Sequence, residues 1–138
     1  MPMTVNKKIA IDTNILLYSL DDYYPEKQTV ARGLLAQKPY LCTQNLSKFI
    51  NVLSKRWKYS KLTVMEIVEG LLEICHYQAL PKDTIILAEE LVRQYNFQYF
   101  DSLIVASALE NDCNVLYSED MQHKLIVEKT LGIINPLV

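Results

Sequence analysis

Glycine is scarce in this chain: 138 residues contain only three, Gly33, Gly70 and Gly132. They stand too far apart to form a glycine-rich phosphate loop, so Walker-type and dinucleotide-binding fingerprints are excluded. Cysteine is equally sparse. Cys42, Cys75 and Cys113 are odd in number and include no C-x-x-C pair, which removes zinc-ribbon and thioredoxin readings and leaves small buried hydrophobes in a reducing compartment. No apolar run approaches the roughly 18 residues of a membrane span, and Met1–Lys8 carries no secretory signal. A cytoplasmic protein with no membrane partner is expected. An excess of basic charge is also lacking. Fourteen Lys and Arg against sixteen Asp and Glu give a net charge of −2, so a globally basic nucleic-acid binder is not indicated. Half of the residues are apolar, which excludes disordered and low-complexity classes. The length suits one domain, taken as residues 1–138.

Short apolar runs alternate with amphipathic segments along the chain. Strands are expected at Lys8–Asp12, Pro39–Thr43, His76–Leu80, Asn114–Tyr117 and Gly132–Pro136. Helices are expected after Asp12-Thr13-Asn14, from Pro25 to about Gln37, over Gln44–Trp57, over Leu62–Cys75 with Thr63 as cap, over Asp83–Tyr95, and over a heavily buried Asp101–Glu110. This alternation predicts an α/β fold with a parallel sheet. In such sheets ligands collect beyond the carboxyl ends of the strands.

Three carboxylates fall where that rule directs attention. Asp12 ends the first strand, Asp120 follows the fourth by three residues, and Asp101 opens the helix leading into the fourth. Gathered on one edge, they repel unless a cation lies between them, and Mg²⁺ or Mn²⁺ suits an all-oxygen set. Singly, each has a plainer reading: Asp12 and Asp101 as helix N-caps, Asp120 as a turn former. His76 and His123 have no nucleophile partner in sequence, and His123 is either a substrate contact or an idle loop residue.

These segments resemble the motifs of a known family. Ile11-Asp12-Thr13-Asn14-Ile15-Leu16 looks like the opening motif of PIN-domain ribonucleases, and Tyr99-Phe100-Asp101-Ser102-Leu103-Ile104 looks like their third acidic motif. Leu116-Tyr117-Ser118-Glu119-Asp120-Met121 resembles the fourth, and Ile134-Asn135-Pro136 the tail strand. The ordered set spans essentially the whole chain and is most similar to VapC-like toxins of bacterial toxin–antitoxin pairs. The resemblance implies a three-layer αβα sandwich around a five-stranded parallel sheet, and Mg²⁺- or Mn²⁺-dependent endoribonuclease activity on single-stranded RNA. It implies Asp12, Asp101 and Asp120 as catalytic metal ligands. Asn14 and Ser118 would orient them, with Glu119 as a further, more exposed carboxylate. A homodimer and a cognate antitoxin are implied as partners.

One position departs from that pattern. Thr43-Gln44-Asn45-Leu46-Ser47-Lys48-Phe49 places Lys48 where the family usually carries a glutamate. Lys48 either weakens metal binding and leaves a catalytically impaired RNA-binding or regulatory module, or pairs with Asp12 or Asp101 until metal and RNA arrive. Otherwise it points away while Glu119 fills the gap, or it is a solvated surface lysine. A phosphoryl-accepting receiver domain and a haloacid-dehalogenase-type phosphatase fit less well. The first needs adjacent carboxylates after the first strand and the second needs Asp-x-Asp there, whereas Asp12 is followed by Thr13-Asn14. Lys55, Arg56 and Lys58, interleaved with Trp57 and Tyr59, form a basic–aromatic cluster that could hold RNA. The simpler reading is a solvated helix end with Trp57 packed inward. The nine tyrosines, Tyr23, Tyr24, Tyr95 and Tyr99 among them, serve either interfaces or core boundaries.

Overall fold

The computed structural model describes residues 7–138, so most of the Met1–Lys8 segment lies outside the described residues. The elements run β1 (Ile9–Ile11), α1 (Thr13–Tyr18), α2 (Pro25–Leu35), β2 (Tyr40–Cys42), α3 (Thr43–Asn51), α4 (Lys61–Ile74), β3 (His76–Gln78), α5 (Lys82–Tyr95), α6 (Tyr99–Glu110), β4 (Val115–Tyr117), β5 (Ile126–Val127) and β6 (Leu131–Ile134). The sheet order is β3-β2-β1-β4-β6-β5. All neighbours pair in parallel except β5 with β6.

The two-residue period of a strand explains the layers. On β1, Ile9 and Ile11 join the core under α1–α4, whereas Ala10 joins the core under α5 and α6. On β4, Leu116 faces the α5–α6 side, and Val115 and Tyr117 the other. With helices on both faces, the α/β sandwich expected from the sequence is the fold observed. Helix α6 is buried on every face from Ser102 to Ala108, and that central position rigidly holds its first turn, where Asp101 lies. All three cysteines are free and buried, as their spacing predicted.

Four local expectations are corrected. The sheet has six strands, not five parallel ones. The additional strand, Ile126–Val127, returns antiparallel onto β6 through a turn with positive φ at both Glu128 (51°) and Lys129 (63°), closed by Thr130 N–H donating to Val127 O at 3.1 Å. That turn geometry normally advertises itself through Asn-Gly or Asp-Gly, and Glu-Lys carries no such signal. Next, the helix expected over Gln44–Trp57 is α-helical only to Asn51 and continues as a π-helical turn over Val52–Arg56. The wider turn lets adjacent Val52 and Leu53 both bury while Trp57 still packs partly against the same core. Finally, Asp101 does not open its helix. Gln98 is the N-cap and Asp101 sits within the first turn; likewise α4 is capped by Ser60, whose Oγ accepts from Thr63 N–H at 3.2 Å, and not by Thr63.

Candidate metal centre at the carboxyl edge of the sheet

Asp12 leaves β1 at the middle of the sheet, with its N–H donating to Tyr117 O on β4 at 2.9 Å. The same ladder delivers Ser118 alongside it. Asp12 is buried; its Oδ1 accepts Thr13 N–H at 2.7 Å and its Oδ2 accepts Ser118 Oγ–H at 2.8 Å. Asp12 is thus an N-cap, and capping engages only one of its oxygens fully within α1. Ser118 Oγ in turn accepts the N–H groups of Asp120 and Met121, each at 3.2 Å, which folds the loop back under the sheet edge. Asn14 Nδ2 donates to Asp120 Oδ2 at 2.9 Å. Asn14 and Ser118 therefore hold two carboxylates in place. Asp101 and Asp120 share the wall of a cleft of about 190 Å³ that also includes Tyr95, Gln98 and Gln122.

Two of the acids are shifted by their acidic neighbours. Burial pushes the Asp12 carboxyl above the usual carboxylate range, opposed by the Ser118 and Thr13 hydrogen bonds and the charge of Lys48, and reinforced by the charge of Asp120. Burial also raises Asp101, with the negative charge of Asp12 next in weight, Lys48 opposing, and Asp120 adding to the rise. These are carboxylates short of positive charge.

The donors suit a hard cation. All are oxygens, and Asn14 Oδ1, beside Asp120, is buried without a hydrogen-bond partner. The spacing is looser than a closed cage: among the described residues no three Asp, Glu, His or Cys side chains gather closely enough to chelate an ion by themselves. Oxygen donors are the kind that Mg²⁺ or Mn²⁺ takes, with water completing the coordination.

Other residues singled out from sequence lie elsewhere. Glu119 turns away from the acids: its Oε1 accepts Tyr18 Oη–H at 2.7 Å and its Oε2 accepts Lys27 Nζ–H at 3.1 Å. It does not fill the place left by Lys48. Lys48 is exposed and makes no ion pair among the described residues, yet its charge reaches both Asp12 and Asp101. Lys55, Arg56 and Lys58 are exposed beyond the far end of α3. Twelve residues separate Thr43 from Lys55, so the cluster is on the order of 18 Å from the sheet edge where α3 begins. His123 accepts Asn135 N–H on Nδ1 at 2.9 Å, a contact that ties the loop to the tail.

Asn45 is the site-supporting residue that sequence reasoning missed. It is buried; its Nδ2 donates to Ile11 O at 3.0 Å, and its Oδ1 accepts Cys42 N–H at 2.9 Å and Cys42 Sγ–H at 3.3 Å. It joins the ends of β1 and β2 immediately before Asp12. The available signal was a polar residue one turn before Phe49, on the apolar face of an amphipathic helix.

The PIN domain family model matches residues 9–128. Among solved structures, VapC20 of Mycobacterium tuberculosis, described as a Sarcin-Ricin loop cleaving toxin, superposes with a TM-score of 0.66 at 16% identity, covering 82% of this chain and 90% of that one. VapBC2 from Rickettsia felis, bound to a DNA fragment from its promoter, gives 0.65 at 17% identity over 92% of this chain and 98% of the other. FitAB bound to the IR36 DNA fragment gives 0.60 at 14% identity over 94% and 96%. At these identities the likeness concerns the fold. No curated protein matches the sequence.

Proposed function

The chain belongs to the PIN domain family, and from that premise we propose that it is a divalent-metal-dependent endoribonuclease acting on single-stranded RNA, the toxin of a toxin–antitoxin pair. The support for this reading is electrostatic: the charge of Asp120 raises the pKa of both Asp12 and Asp101, and the charge of Asp12 raises that of Asp101. Toxins and antitoxin complexes among the structural neighbours support the biological setting and an antitoxin as partner. A cytoplasmic location and a homodimer belong to the same proposal. No helix among the described residues is long and apolar enough to cross a membrane.

Asp12, Asp101 and Asp120 would hold Mg²⁺ or Mn²⁺, which when bound would neutralise phosphate charge and activate water for in-line attack. The chain supplies the alignment. Ser118 Oγ–H and Thr13 N–H donate to the two oxygens of the buried Asp12 and favour its charged form against the cost of burial. The Asn14 amide fixes the Asp120 carboxylate toward the cleft. The π-faces and amides along Tyr95–Gln98 wall the cleft and narrow the approach of a strand. Purified protein is expected to cleave single-stranded RNA internally with Mn²⁺ present and not with EDTA. Cleavage indifferent to EDTA would overturn the metal assignment.

One observation favours a second reading, an RNA-binding or regulatory PIN module with impaired catalysis. The Lys48 charge acts on Asp12 and Asp101 and takes over part of a metal ion's electrostatic work. Lys48→Glu is expected to tighten Mn²⁺ binding on the order of tenfold, since a neighbouring charge shifts an ionic equilibrium by about a unit or more. Isothermal titration of the two forms measures this. Identical affinities would leave Lys48 a solvated lysine. RNA binding without cleavage in both forms would support the impaired module.

A further inference from the structure

The opposite edge of the sheet carries a second charged feature. Lys7 and Lys8 precede β1, Lys38 precedes β2, and His76 opens β3. These strands are adjacent and parallel, with Tyr40 opposite both Ala10 and His76, so their amino ends converge. The result is a groove of about 490 Å³ lined by Lys7, Lys8, Lys38, Tyr40, His76 and two uncharged neighbours, with no acidic residue in its wall. Inside it the Tyr40 and His76 rings stack at 4.6 Å and 22°, and Lys8 Nζ lies 6.0 Å from the Tyr40 centroid. Three ammonium groups around a stacked aromatic column combine the two means by which single strands are held: cations for phosphates and π-faces for bases.

We propose that this amino-edge groove binds the phosphodiester backbone of single-stranded RNA at a distance from the carboxylates. The inference rests on the ribonuclease reading for its choice of ligand. A strand held only at the carboxyl edge meets a field of acids that repels it; the basic groove supplies the missing attraction. It lies about 13 Å from Asp12, the four residues from Lys8 at the rise of a strand. A short substrate therefore reaches only the carboxylates, and a longer one spans both. Aromatic stacking distinguishes RNA from a lipid surface, because the aliphatic residue in the groove wall, Ile9, is buried and offers nothing to insert.

The test uses the full chain in EDTA, with fluorescein-labelled polyuridylate titrated at several salt concentrations. The triple variant Lys7→Gln, Lys8→Gln, Lys38→Gln is expected to bind at least tenfold more weakly at low salt. Its log–log salt slope should be shallower by about two, at roughly 0.7 for each phosphate no longer neutralised. The variant Lys55→Gln, Arg56→Gln, Lys58→Gln is measured in parallel, and a slope change confined to it overturns the proposal. His76→Leu should weaken binding severalfold and His76→Phe should restore it. An unchanged slope in the groove variant overturns the proposal. So does displacement of the RNA by polyglutamate as readily as by unlabelled polyuridylate, which would assign the groove to an acidic peptide. In a parallel Mn²⁺ assay, wild-type cleavage with undiminished long-substrate affinity in the groove variant sinks the groove and leaves the nuclease standing. Absence of both binding and cleavage in the wild type sinks the nuclease reading itself.

Discussion

Asp101→Asn is expected to cut metal-dependent RNA cleavage by about 10²- to 10³-fold and, in the same protein, to raise thermal stability at neutral pH when metal is absent. The first half follows from the several kcal/mol that a bound cation contributes to a phosphoryl transition state, at about 1.4 kcal/mol per decade. The second half follows from linkage. Burial and the Asp12 charge raise the Asp101 pKa from its usual 3.8. A carboxyl with a higher pKa folded than unfolded holds its proton more tightly in the folded chain. Its contribution to stability is complete below the unfolded value and is lost as pH rises through the folded one. Asparagine has no charge to lose. Melting curves in EDTA should therefore nearly coincide at pH 4 and separate as pH rises, with the variant higher. Mg²⁺ at neutral pH should close the gap by stabilising only the wild type. A variant that is less stable than wild type across this range, metal-free, would contradict the crowded-carboxylate site. A purely structural capping role for Asp101 predicts that opposite result.

Asn45→Leu is expected to be the most destabilising single change near the site. The amide is buried and bridges Ile11 O and Cys42 N–H. Leucine leaves both backbone groups buried and unpaired, and each costs about 1–3 kcal/mol, so the total is about 2–6 kcal/mol. Urea denaturation should show a lower midpoint with an unchanged slope. The same variant should bind Mn²⁺ less well, because Ile11 immediately precedes Asp12 and its carbonyl direction is set by this bond. Asn45→Asp separates the causes. It keeps an acceptor for Cys42, loses the donor to Ile11, and adds a carboxylate beside Asp12. It should be at least as destabilising as leucine at neutral pH and recover part of the deficit on acidification. A stability within about 0.5 kcal/mol of wild type for Asn45→Leu, the range of an ordinary surface substitution, would remove Asn45 from the supporting framework.

Lys48 links these two predictions. It lies on the same helix as Asn45, three residues further on, and its exposed ammonium moderates the same carboxylates that Asp101→Asn relieves. Lys48→Glu and Asp101→Asn should therefore be non-additive in metal-free stability, since both change charge in one shared field.

Strand and helix order were legible in the residues because hydrophobic period is a local property. Ile9-Ala10-Ile11 and Val115-Leu116-Tyr117 are too short and apolar to be anything but buried strands, and alternation with helices dictates a parallel sheet. Asp12 and Asp120 were legible as a pair for the same reason: both follow strands, and the carboxyl edge of a parallel sheet is a fixed place. Features that depend on one side chain meeting another far away in sequence were not. Glu119 reads as a spare carboxylate until Lys27 and Tyr18, 92 and 101 residues distant, are seen to occupy it. Asn45 reads as an ordinary helix residue until Ile11 O is seen above it. The strand β5 hides behind a turn whose residues, Glu128 and Lys129, adopt positive φ without the glycine or asparagine that marks such turns.

The scarcity of glycine and of net charge was thus informative about chemistry and silent about placement. Three glycines exclude a phosphate-cradling loop, and that holds in any fold. A net charge of −2 says only that acids and bases nearly balance. The folded chain sorts part of them: Asp101 and Asp120 share a cleft at one edge of the sheet, with Lys48 acting on Asp101, and Lys7, Lys8 and Lys38 line a groove at the other. Parallel strands bring all their amino ends together and all their carboxyl ends together. Charges scattered along the chain become two opposed poles only when those strands pair side by side.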